Sequence, residues 1–133
     1  MREPDETWRD WAARAAEGDD KALFVAEDPE GWIGVVGGFR RHDPTEVQLI
    51  SMWVDPRARG KGAAQALIRA VATWGDDVGA RRVVLFVQEV NTPGRALYLK
   101  AGFHPTGDRM PVGIGRRGFK LVFAASVADL LAA

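Results

Sequence analysis

The chain has 133 residues, enough for one domain that buries roughly two-thirds of its unfolded surface around a single core. Eighteen Lys and Arg balance eighteen Asp and Glu, so no electrostatic footprint for nucleic acid or an anionic membrane is expected. The absence of cysteine excludes disulfides, thiolate zinc sites and a cysteine nucleophile, and two histidines far apart give no metal site.

Met1-Arg2-Glu3-Pro4-Asp5 lacks the apolar stretch of a signal peptide, and no apolar run reaches the ~20 residues of a membrane span. A single cytoplasmic domain over 1–133 is the simplest expectation. Thr7 to Glu17 reads as a helix that Thr7 or Asp5 caps and Gly18 stops, with Trp8, Trp11 and Ala15 on one face. Ala22 to Ala26 is a short strand, and Asp28-Pro29-Glu30-Gly31 turns into its hairpin partner, Trp32 to Phe39. Gly37-Gly38 in that partner signals a bulge or a close backbone approach. After a turn at His42-Asp43-Pro44, Glu46 to Val54 forms a third strand, completing an antiparallel meander.

The second half changes style. Helix 62–74 places Ala63, Ala66, Leu67, Ala70, Val71 and Trp74 on one face and leaves Gln65, Arg69 and Thr73 to solvent. Arg82 to Gln88 is nearly all apolar, as a central strand should be, and a right-handed parallel crossover joins it to the third strand. A helix at Thr92 to Lys100 ends at Gly102. Phe103 to Asp108 and Gly118 to Ala124 pair around a glycine-rich, mobile loop, 111–117. The expected fold is α/β (α+β): a mixed, mostly antiparallel sheet with helices on both faces.

The most informative segment is Val54-Asp55-Pro56-Arg57-Ala58-Arg59-Gly60-Lys61-Gly62, between a strand and a helix. Two glycines at such a turn leave a row of main-chain N–H groups without partners, and the helix dipole adds to their pull on a phosphate or pyrophosphate. A nucleoside-triphosphate loop needs four residues between its glycines, where only Lys61 stands here. A dinucleotide loop needs a small residue where Gln65 stands, although Glu89 is a candidate ribose-binding acid.

Arg57-Ala58-Arg59-Gly60-Lys61-Gly62 resembles the Arg/Gln-x-x-Gly-x-Gly/Ala signature of the GNAT N-acetyltransferase superfamily. Asn91, Arg95-Ala96-Leu97-Tyr98 and Lys100-Ala101-Gly102-Phe103 resemble its second cofactor motif, about 30 residues on and in the right order. The resemblance covers roughly 20 to 124. Three departures are visible. Ala63-Ala64 stands where Ile or Leu and then Gly is usual, the N-terminal strand and helix of the family are expected to be missing, and Gln48 holds the same-face position after Glu46 where a second glutamate would stand.

The resemblance implies acetyl transfer from acetyl-CoA to a primary amine, with no metal. The amides of Arg59, Gly60, Lys61, Gly62, Ala63 and Ala64 would hold the pyrophosphate, with Arg57, Arg59 or Lys61 adding charge. Met52, Trp53 and Val54 would border the pantetheine arm, and the N–H of Met52 or Trp53 would face the oxyanion. Tyr98 would be the general acid, its ordinary pKa of about 10 keeping it protonated against a thiolate of about 8.5. Asn91 would bridge to pantetheine or simply cap the following helix. Glu46, 14 residues before Gly60, is the candidate base, with His42 and His104 in reserve. Arg116 and Arg117 are candidates to hold an acceptor carboxylate. The acceptor is a small-molecule or peptide amine, and a homodimer stays open. A non-catalytic acyl-CoA-binding or regulatory module is the alternative.

Overall fold

The computed structural model describes residues 13–16 and 20–132. Seven strands form one sheet in the order β1-β2-β3-β4-β5-β7-β6. They are β1 (Ala13–Ala16), β2 (Lys21–Asp28), β3 (Gly31–Arg40), β4 (Glu46–Val54), β5 (Arg82–Gln88), β6 (His104–Gly113) and β7 (Arg116–Ser126). Three helices among the described residues accompany them: α1 (Ala63–Asp77), α2 (Thr92–Ala101) and α3 (Val127–Ala132).

The meander forms as the sequence expects. Asp28 Oδ1 accepts from the Glu30 amide at 2.8 Å and closes the β2–β3 turn, and Asp43 does the same for the Thr45 amide at 2.9 Å before β4. Gly38 is the close approach: a Cβ there would stand 3.0 Å from the Trp74 ring of α1. Adding it to this packed face would cost about 1–3 kcal/mol.

β4 and β5 are parallel, joined through α1, and every other strand pair is antiparallel. Gln65, Arg69 and Thr73 of α1 are exposed, while Leu67, Ile68, Val71, Ala72 and Trp74 are buried. That stripe packs on Val36, Val47, Leu49, Val83, Leu85 and Phe123 of the sheet. Burying such aliphatic side chains contributes roughly 1.5–3 kcal/mol each.

Three expectations need correction. Ala13–Ala16 is a strand paired antiparallel with β2, not part of a helix, so a strand does precede the meander. Alanine is a good helix former, but pairing with the exposed edge of β2 overrides that local preference. The remainder of the expected 7–17 helix, with Trp8 and Trp11, lies outside the described residues.

The described helices lie on one face of the sheet. α1, Leu97, Tyr98 and Ala101 of α2, and Val127 and Leu130 of α3 share a single apolar cluster. The cause is handedness. β4 to β5 and β5 to β6 are both parallel crossovers stepping the same way along the sheet, and right-handed connections then put both helices on the same side. The segment 111–117 is mostly strand, because Gly113 pairs with Arg116 and only Ile114-Gly115 turns. Finally, α3 ends the described chain where no helix was expected. No helix among the described residues is long and apolar enough to cross a membrane.

Candidate active site

The parallel pair at the sheet's centre is a fork. β4 and β5 pair at Glu46 with Arg82, Val47 with Val83 and Gln48 with Val84, and no further. Beyond that point β4 stays with β3 as far as Val54, and β5 stays with β7 as far as Gln88. Two strand edges therefore face each other with unshared main-chain donors and acceptors. Such an opening suits an extended ligand carrying amides of its own.

A bulge aims the β4 side of the fork. Three residue steps on β4, from Trp53 to Ile50, oppose two on β3, from Val35 to Gly37. Ser51 takes up the extra residue at φ 56, the one positive-φ non-glycine among the described residues. A serine in this region is strained by on the order of 1–2 kcal/mol. After the bulge Met52 packs against the helical core, whereas Trp53 is 47% exposed. Its partner Val35 places Trp53 on the sheet face opposite the described helices.

β4 leads straight into the glycine turn. The Asp55 amide donates to Ile33 O at 2.7 Å, and Asp55 Oδ1 caps a 3-10 turn, Pro56–Ala58, by accepting from the Arg57 amide at 2.9 Å. The Arg57 amide, and then its guanidinium, hold the Asp55 carboxyl below the usual carboxylate range. Arg57 Nε reaches Asp55 at 3.2 Å and Nη1 reaches Glu30 at 3.0 Å. Arg57 is thus a brace between the turn and the β2–β3 hairpin. Arg59 and Lys61 are exposed, with no carboxylate partner among the described residues.

Gly60 and Gly62 sit at φ 80 and φ 89, so the backbone path itself requires glycine at both positions. Gly62 is the N-cap of α1 and contributes no side-chain cap. The amides of Arg59 and Lys61 turn inward to Pro56 O and Ala58 O, at 3.4 and 3.3 Å. Among the described residues nothing accepts from the amides of Gly60, Gly62, Ala63 or Ala64. Those four are the amides left unshared, a narrower set than the whole 59–64 run. A diphosphate fits them chemically: they are unshared donors at the positive end of a 15-residue helix.

The second motif follows the open end of β5. Asn91 caps α2 by accepting from the Gly94 amide at 3.0 Å, so its capping role is realised. Tyr98 is half-buried against the core and meets Phe103 edge-on, with ring centroids 5.9 Å apart. Burial pushes its phenol above the ordinary tyrosine value. Among the described residues no group hydrogen-bonds its hydroxyl.

Glu46 lies at the knitted end of the fork. Its carboxylate, with 18% side-chain exposure, meets Arg41 Nε at 3.2 Å and Arg82 Nε at 3.1 Å, one on each oxygen. Arg41 also donates to the side chain of Gln48, the one buried polar residue among those described. Glu46 therefore stitches β4 to β5 where they pair. His42 is exposed at the β3–β4 turn, and His104 is exposed at the start of β6. Arg116 and Arg117 are exposed beside the hairpin tip.

Sequence reasoning missed Arg41, Arg82 and the Ser51 bulge. None carries a local signal, because their partners are distant in sequence and serine is not a bulge marker. Asp55 did carry one, since aspartate followed by proline and a turn is a cap signature.

Comparison with known proteins agrees with this geometry. The Acetyltransferase (GNAT) family matches residues 1–103. Human N-acetyltransferase 8B is 38% identical over 89 residues, which cover 64% of this chain and 39% of that protein. The structure of nourseothricin acetyltransferase superposes with a TM-score of 0.76 at 24% identity, over 81% of this chain and 66% of that one. An aminoglycoside 6'-N-acetyltransferase complexed with coenzyme A gives 0.68 at 14% identity, over 81% of this chain and 73% of that one. These two solved structures share the fold, and the chain spans about two-fifths of the length of the curated relatives it matches. The chain belongs to the Acetyltransferase (GNAT) family.

Proposed function

We propose that this protein transfers an acetyl group from acetyl-CoA to a primary amine by direct attack. One observation carries the proposal: a forked parallel pair opens onto a turn whose amides at Gly60, Gly62, Ala63 and Ala64 have no described acceptor. These donors would hold the diphosphate, with Arg59 and Lys61 free to add charge. The pantetheine arm would then lie between Met52–Val54 and the open edge of β5.

The amine lone pair attacks the thioester carbonyl carbon, and negative charge builds on its oxygen. The N–H of Met52 or Trp53, next to the bulge, would receive that oxygen; such a donor is worth about 3 kcal/mol in other acyl transfers. The C–S bond then breaks and the sulfur takes the Tyr98 proton. A phenol held above its ordinary pKa stays protonated at neutral pH, as an acid must. We assign Glu46 to holding the fork shut, because both carboxylate oxygens are engaged. The acceptor therefore loses its ammonium proton to solvent or to a group not yet identified.

That engagement also favours a second reading, a non-catalytic acyl-CoA-binding module. Two measurements separate the readings. Acetyl-CoA at 100 times its Kd should stabilise the fold by about 2.7 kcal/mol under either one, whereas only an enzyme releases free CoA thiol with an amine panel. No change in Tm at millimolar acetyl-CoA would remove both.

A further inference from the structure

Phe86 stands on β5 two residues past Val84, where pairing with β4 ends, so it marks the rim of the fork. Its partner across β7, Val122, lies outside the helical cluster, which places both on the face without described helices. Two cations lie close to the Phe86 ring. The Arg41 guanidinium carbon is 5.6 Å from the ring centroid, and the Lys120 ammonium nitrogen is 5.1 Å from it. Arg41 reaches there from the β3–β4 turn, and Lys120 from β7, opposite Gln88.

Neither cation is saturated. Arg41 gives one N–H to Glu46 and one to Gln48, leaving three of the five a guanidinium carries. Lys120 has no carboxylate or hydrogen-bond acceptor among the described residues. The local acids are already shared: Glu46 serves Arg41 and Arg82, and Asp43 lies within electrostatic reach of Arg82. Two positive groups held near one ring, with charge to spare, attract an anion to that place.

We infer that Arg41 and Lys120 form a carboxylate-binding subsite over Phe86, and that the acceptor is a small amino acid rather than a simple amine. This inference rests on the acetyltransferase reading and narrows it. Phe86 is the first residue on its face of β5 beyond the last β4–β5 pair, so the subsite borders the fork in which the acceptor meets the thioester. The subsite replaces Arg116 and Arg117, which stand exposed near the hairpin tip. The competing explanation is surface packing, with two alkyl stems simply shielding Phe86.

The test compares free amino acids with their carboxamides and with the amines that lack the carboxyl group, in thiol-release assays of wild type and Lys120→Met. Methionine keeps the apolar stem over Phe86 and removes the charge. Wild type should prefer the amino acids by about tenfold or more in kcat/KM, as loss of a charge-assisted contact implies. The variant should lose most of that preference. Equal use of all three acceptor types by wild type, or an undiminished preference in Lys120→Met, overturns the subsite while leaving acetyl transfer intact. A binding readout covers slow turnover: with coenzyme A present, the amino acid should raise Tm in wild type and not in the variant. Absence of any Tm response to acetyl-CoA overturns the acetyltransferase reading itself, and the subsite with it.

Discussion

At Glu46–Gln48, β4 is paired on both edges, and one carboxylate ties it through Arg82 to β5 and through Arg41 to the preceding turn. A few residues on, the same strand is paired on one edge only, is bulged at Ser51, and ends in a turn with unshared amides. The first end spends its polar groups on the protein. The second keeps them available and holds one residue in a strained conformation. A ligand site needs both, because an opening is useful only when its closed end fixes where the strands part.

The largest test of this contrast is Tyr98→Phe, which belongs to the open side. It removes the proposed acid without removing the ring that packs on Phe103, so turnover should fall by about 10²–10⁴-fold with little change in acetyl-CoA affinity. Retained turnover would take the acid role from Tyr98. The raised phenol adds a pH signature. As pH rises past about 10, tyrosine ionises in the unfolded chain before it does in the folded one, so stability declines there. Tyr98→Phe should flatten that decline in alkaline melts.

Gly62→Val attacks the turn. A β-branched residue at φ 89 should cost on the order of 1–3 kcal/mol of stability and abolish the acetyl-CoA-induced rise in Tm. If the variant folds and still responds to acetyl-CoA, the turn is not the cradle. Glu46→Gln tests the closed end. Partial exposure of all three groups limits the loss to about 1 kcal/mol in urea unfolding. The acid limb of the kcat/KM profile should keep its midpoint, and its disappearance would make Glu46 the base after all. The smallest effect belongs to Ser51→Gly. Relief of the positive φ is offset in part by glycine's greater freedom when unfolded, so a gain of about 0.5 kcal/mol is expected. A loss of stability would mean that the bulge is not strained.

Much of this arrangement was legible because it is local. β4 and β5 run over the residues their apolar patterns marked, and α1 exposes the three polar residues its period left outside. The glycine turn and the Asn91 cap are also short-range chemistry. What escaped was set by contacts distant in sequence. The identity of β1 depends on the edge of β2 rather than on its own alanines. Arg41, Glu46 and Arg82 come together only because β5 returns beside β4 after a whole helix. In the segment 111–117, glycines suggested a loose loop, yet Gly115 at φ 74 makes a tight turn that lets both strands continue.

The most direct measurement is a titration of nitrogen-15-labelled protein with coenzyme A, following each main-chain amide. The largest shifts should fall on Gly60, Gly62, Ala63 and Ala64, with smaller ones on the already bonded amides of Arg59 and Lys61. Saturable binding that leaves those four resonances in place would contradict the account.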